Sequence, residues 1–164
     1  MKKIEIEYKF KVENPIELFK IINGVKPKIL YIQDFIYGKN DGSKIRKRVV
    51  FDGVRVEEIY QRTTLIDGEI KKTIEEDLKE LPVGYVLENS YDKIRYYYKR
   101  RNYEIMVDFY TVGIFCEIEG SEKEIKEIAK SLGFKLKDNI KENIDTIYCK
   151  STDTPKMNWG FATL

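Results

Sequence analysis

The chain has 164 residues, one domain by length, and its 30 Lys and Arg against 28 Asp and Glu leave a net charge of +2 that does not announce a nucleic-acid binder. Histidine is absent, which removes the commonest general base, the imidazole-dependent serine and cysteine triads and most catalytic zinc sites. Cys116 and Cys149 neither demand a disulfide nor make a zinc site. With no apolar run of about 18 residues and no signal-peptide core after Met1-Lys2-Lys3, the chain reads as cytoplasmic, with no membrane span.

The first predicted strand, residues 3–12, sets Lys3, Glu5, Glu7, Lys9 and Lys11 on one face and Ile4, Ile6, Tyr8, Phe10 and Val12 on the other. Asn14-Pro15 opens a short helix over 15–23, apolar at Leu18, Phe19 and Ile22 and stopped by Gly24. Residues 28–37 form a strand that is apolar on both faces apart from Gln33 and Asp34, ahead of an Asn40-Asp41-Gly42 turn. In 43–51, Lys44, Arg46 and Arg48 share a face opposite Ile45, Val49 and Phe51. In 54–65, Ile59 and Leu65 read as the apolar face, which puts Arg62 on the charged one.

After an Asp67-Gly68 turn, 69–78 groups Lys71, Thr73, Glu75 and Asp77 against Ile70, Ile74 and Leu78. Residues 79–91 read as an irregular connection. In 92–101, Lys93, Arg95, Tyr97, Lys99 and Arg101 alternate with Ile94, Tyr96, Tyr98 and Arg100. Glu104, Met106 and Asp108 then face away from Ile105, Val107 and Phe109, and Glu117 and Glu119 repeat the Glu-x-Glu spacing of the first strand. Ser121 and Glu124 form a capping box for a helix over 122–132 that Gly133 ends. Ile140, Ile144, Ile147 and Tyr148 are at helical spacing, and residues 151–164 form a polar tail whose Trp159 and Phe161 suggest that its end docks.

Periodicity leaves two arrangements open: a barrel with an apolar interior and wet charges outside, or one with charges inside and helices over its apolar exterior. Amphipathic helices in need of a partner surface favour the second. Carboxylates without His or Cys suit a hard ion, magnesium or manganese, and arginine forks match phosphate oxygens.

The motifs Glu5-x-Glu7-x-Lys9, Arg46-Lys47-Arg48, Lys93-x-Arg95 and Glu117-x-Glu119 resemble, in their order over roughly residues 1–150, the signature of the CYTH superfamily of triphosphate tunnel metalloenzymes. The resemblance implies an α+β fold, a closed antiparallel eight-stranded barrel with helices outside, whose tunnel holds a triphosphate and a divalent metal. Carried onto this sequence, it implies Glu5, Glu7, Glu117 and Glu119 as metal ligands for Mg2+ or Mn2+, with Glu7, Glu117 or Glu119 as general base. Lys9, Arg46, Arg48, Arg62, Lys93 and Arg95 are the expected phosphate contacts. Arg62 stands where the family has lysine, which puts a proton-shuttling role there in doubt.

The leading expectation is a metal-dependent hydrolase that cuts the terminal phosphoanhydride of inorganic triphosphate or a nucleoside triphosphate. A class IV adenylyl cyclase in the same tunnel is the nearest alternative. A non-catalytic polyphosphate- or RNA-binding module is the third, and the acidic strands oppose it because they would repel a polyanion. Homodimers are expected by analogy with small members of the family.

Overall fold

A computed structural model of the chain describes residues 2–66, 71–144, 146–147 and 158–159. Among them are β1 (Lys2–Lys11), β2 (Lys28–Gly38), β3 (Lys44–Phe51), β4 (Val56–Ile66), β5 (Lys71–Leu78), β6 (Val86–Lys99), β7 (Glu104–Tyr110) and β8 (Gly113–Glu119). They pair antiparallel in the order β2-β3-β4-β5-β1-β8-β7-β6, and β6 returns to pair with β2 along its full length. The sheet is thereby closed into an eight-stranded barrel, with α1 (Pro15–Ile21) and α2 (Glu122–Ser131) outside it.

Residues directly opposite in an antiparallel ladder share a face. The register opposes Lys9 to Glu117, Asp34 to Arg48, Arg46 to Gln61 and Arg95 to Asp108. These charged faces therefore look inward. The alternate residues Tyr8, Phe10, Val12, Tyr98, Ile105, Val107, Cys116 and Ile118 form an apolar core on the outside of the barrel. Leu18 and Ile22 of the α1 region and Ile125, Ala129 and Leu132 of the α2 region cover it. Phe10 stacks on Phe134 at 4.5 Å, and Phe19 lies 5.1 Å from Tyr96. The hydrophobic contact that holds the molecule together is thus between barrel and helices, which frees the interior for polar groups.

The helices begin as their sequences dictate. Asn14 accepts from the Glu17 amide with Pro15 in the first turn, and Ser121 and Glu124 make both bonds of the capping box. Gly24 and Gly133 take the positive φ values, 99° and 87°, that end such helices at least cost.

Two expectations need correction. Strand β6 starts at Val86, so the irregular connection ends well before residue 91. The extra residue Glu88, where pairing to β2 slips between Ile36 and Tyr37, breaks the two-residue period that would have disclosed the strand. Residues 140–143 are not helical: the Ile140 amide donates to the Lys9 carbonyl (2.7 Å) and the Lys9 amide donates to Asn139 Oδ1 (3.0 Å), tying this strap to the edge of β1 beyond its pairing with β5. Asn158 and Trp159 form β9, which pairs parallel with Ser90 and Tyr91 of β6. The Asp67-Gly68 turn, Ile70, Tyr148 and Phe161 lie outside the described residues.

Candidate functional site

The barrel encloses a cavity of about 820 Å³ whose lining includes Glu5, Glu7, Lys9, Arg46, Arg48, Lys93, Arg95, Glu117 and Glu119. Its wall is divided by sign. Arginines and lysine from β3 and β6 form one side, and carboxylates from β1 and β8, with Lys9 among them, form the other.

Asp108, with no exposed surface, ties the basic side together. Lys93 Nζ donates to its Oδ2 (2.6 Å), and Arg95 donates to it through Nε (2.7 Å) and Nη2 (2.6 Å). Arg95 Nη2 also reaches Glu117 (2.7 Å), and Lys9 Nζ lies 3.1 Å from Glu117 and 3.9 Å from Glu7. Burial works against the Lys9 ammonium, but Glu117 and Glu7 outweigh it and hold its pKa above the ordinary lysine value. Burial wins at Lys93, with Arg95 beside it, and lowers its pKa to about 8. Glu119 is pushed up to about 8, first by burial and then by Glu5, so the acidic wall is crowded with like charge. On β3, Arg46 Nη2 donates to Gln61 (2.6 Å) and Glu75 (2.9 Å), while its Nε is buried without a partner.

Of the residues expected at the site, Glu5, Glu7, Lys9, Arg46, Arg48, Lys93, Arg95, Glu117 and Glu119 all come from inner faces. Arg62 does not. Its partners across the ladders are Ile45 and Glu76, and although it borders the cavity its guanidinium pairs with Glu76 (3.6 Å). The inward place on β4 belongs to Gln61. The expectation failed because Ile59, opposite Arg48, is itself inside the barrel; with Leu30, Ile32, Ile36 and Met106 it gives the charged interior an apolar fraction. Among the described residues no three carboxylates converge as a ready-made metal-holding group.

Sequence reading also passed over Asp34, Gln61 and Tyr110. Asp34 was visible as a carboxylate in an otherwise apolar strand, the kind of residue that persists only with a partner. Tyr110 accepts from Lys93 (2.9 Å) and joins Tyr91, Phe115 and Ile144 in a second buried cluster. That cluster fills the interior where β7 turns into β8, with Ile140 and Ile147 packed against it.

No family model and no curated protein matches the chain. Solved structures do match. A protein from Pyrococcus horikoshii aligns with a TM-score of 0.68 at 21% identity, over 85% of this chain and 96% of its own. A candidate adenylate cyclase from Vibrio parahaemolyticus aligns at 0.69 and 14% identity, over 89% and 98%. The RNA triphosphatase domain of a trifunctional mimivirus mRNA capping enzyme aligns at 0.57 and 16%, over 79% and 88%. The closed antiparallel barrel they share with this chain is the fold that the resemblance to the CYTH superfamily implied. At these identities the likeness is one of fold, and the chemistry has to be argued from the cavity.

Proposed function

We propose that the chain is a divalent-metal-dependent triphosphatase acting on the terminal phosphoanhydride of inorganic triphosphate or a nucleoside triphosphate. The observation that carries this reading is the division of one cavity into a guanidinium-rich wall and a carboxylate wall. A polyanion satisfies the first, and a cation between polyanion and protein satisfies the second. The buried, unpartnered Nε of Arg46 supports an anionic ligand, since an orphaned charged donor costs free energy that a phosphate oxygen would recover.

The donor set fits magnesium or manganese. It is all carboxylate, and Glu119, whose pKa is raised first by burial and then by Glu5, is a group whose charged form a cation would stabilise. Glu5, Glu7, Glu117 and Glu119 would hold the ion with phosphate oxygens and water completing its shell, as magnesium favours. Once bound it would neutralise charge developing on the phosphate oxygens. Arg46, Arg48, Lys93 and Arg95 bind and orient the phosphates, and Glu7, Glu117 or Glu119 orients and deprotonates the attacking water.

A cyclase is the second reading, favoured by the apolar part of the lining, Leu30, Ile32, Ile36 and Ile59, which a nucleoside could use and tripolyphosphate would not. Product analysis separates them. Phosphate release from tripolyphosphate in magnesium or manganese, abolished in Glu7→Gln without loss of fold, supports the hydrolase. Cyclic AMP and pyrophosphate from ATP, with tripolyphosphate left intact, replaces it with the cyclase. Full activity in Glu7→Gln refutes the site.

A further inference from the structure

Of the β2 residues that line the cavity, Leu30, Ile32 and Ile36 are apolar and Asp34 alone is charged. Its side chain is almost completely buried, at 1% exposure. Ionised carboxylates survive such burial only when paired and hydrogen-bonded. The partner is Arg48, directly across the β2–β3 ladder, which donates through Nε to Oδ1 (2.7 Å) and through Nη2 to Oδ2 (2.8 Å). The parallel fork fixes both the plane and the roll of the guanidinium. It engages two of the three nitrogens and leaves Nη1, whose side chain lines the cavity, for a ligand.

We propose that Asp34 is the positioning residue for Arg48. By holding the inner edge of the guanidinium it presents the Nη1 edge to a phosphate oxygen, and it sets how tightly the triphosphate is bound. The inference rests on the triphosphate reading above. It departs from the view that every buried carboxylate of this barrel serves a metal or merely offsets charge, because Asp34 stands on the strand opposite the acidic wall and is occupied by an arginine on both oxygens. A carboxylate that only neutralised Arg48 would be displaced when phosphate arrived. A positioning carboxylate stays bonded.

Tripolyphosphate with magnesium is the probe. In wild-type protein carrying 15N-labelled arginine, the Arg48 Nε–Hε proton is expected to exchange slowly with solvent both free and at saturation. Loss of that protection on binding overturns the proposal, and this measurement needs no variant. Asp34→Asn is expected to raise KM roughly tenfold or more with kcat changed less than about threefold, as for the loss of a charged hydrogen-bond partner that acts in binding. Introduced beside Arg48→Ala, it should add no further loss. A purely structural role would lower the melting midpoint and the active fraction while leaving KM in place. An unchanged or lowered KM in Asp34→Asn overturns the proposal with the triphosphate reading intact. Wild-type protein that neither binds nor cleaves any triphosphate refutes that reading and this inference with it.

Discussion

Replacing Asp108 with Asn removes the carboxylate that bridges Lys93 and Arg95 in the wall of the barrel, leaving Arg95 with Glu117 and Lys93 with the Tyr110 hydroxyl. Three charge-assisted bonds of 2.6–2.7 Å converge on this residue, and none of it is exposed. Breaking a buried ion network by removing one partner costs about 3–5 kcal/mol. At about 2–4 °C per kcal/mol for a chain of this size, the melting midpoint should fall by roughly 6–20 °C.

Lys93 sets the pH dependence of that loss. Its pKa in the wild-type protein is about 8, and removing Asp108 lowers it further. Between the variant's value and pH 8 the folded variant binds fewer protons than the folded wild type. Its stability relative to wild type therefore rises with pH in that window and levels off above it. Urea unfolding of both proteins at about pH 6.5 and about pH 9 checks this, with the larger deficit expected at the lower pH. An unchanged midpoint at the lower pH, or a deficit that widens toward the higher one, refutes the reasoning.

The wild-type Lys93 gives a second expectation. Its folded pKa of about 8 lies below the 10.5 of a free lysine, so its unfavourable contribution is fully present below pH 8 and is relieved as pH rises toward 10.5. A polyanion bound beside it raises the pKa, so tripolyphosphate binding near pH 8 without divalent metal should take up protons, read by calorimetry as heats that differ between buffers of different ionisation enthalpy; identical heats would contradict it. Arg62→Ala should leave KM within about twofold while Arg46→Ala raises it roughly tenfold or more, and the reverse ranking would restore Arg62 to the cavity. Ile125→Ala, at a fully buried position on the barrel-facing side of α2, should cost about 2–5 kcal/mol in denaturant unfolding yet leave kcat/KM of the folded fraction unchanged, because the core it belongs to lies outside the barrel.

The strands that carry the site were legible because each keeps the two-residue period through several charged positions: Glu5, Glu7 and Lys9, then Arg46 and Arg48, then Lys93 and Arg95. The capped helices were legible for a similar reason, since Asn14, Ser121 and Glu124 satisfy orphan amides locally. What escaped depended on partners distant in sequence. Ile59 reads as outer by its own chemistry, and only its place opposite Arg48 shows it to be inside. Asp34 reads as an isolated acid until Arg48 lies beside it. The strap at 139–143 takes its backbone bonds from Asn139 and Ile140 meeting Lys9, so the helix expected from the spacing of Ile140, Ile144 and Ile147 is absent at Ile140 and present, among the described residues, only at 144, 146 and 147.

The place of β1 in the sheet also bears on how the molecule assembles. It precedes the other seven barrel strands in the chain and sits between β5 and β8, with Glu5 opposite Thr73 and Lys9 opposite Glu117. Its ladder with β5 spans more than 60 residues of chain and its ladder with β8 more than 100, and the closing seam between β2 and β6 is likewise long-range. Loop-closure entropy must be met before such pairings return any free energy, so this topology belongs with the slower folders. Until then Tyr8 and Phe10 are without their helical cover, and the alternating charges of Glu5, Glu7 and Lys9 serve a second purpose: they keep an early, unpaired strand from pairing with its copies.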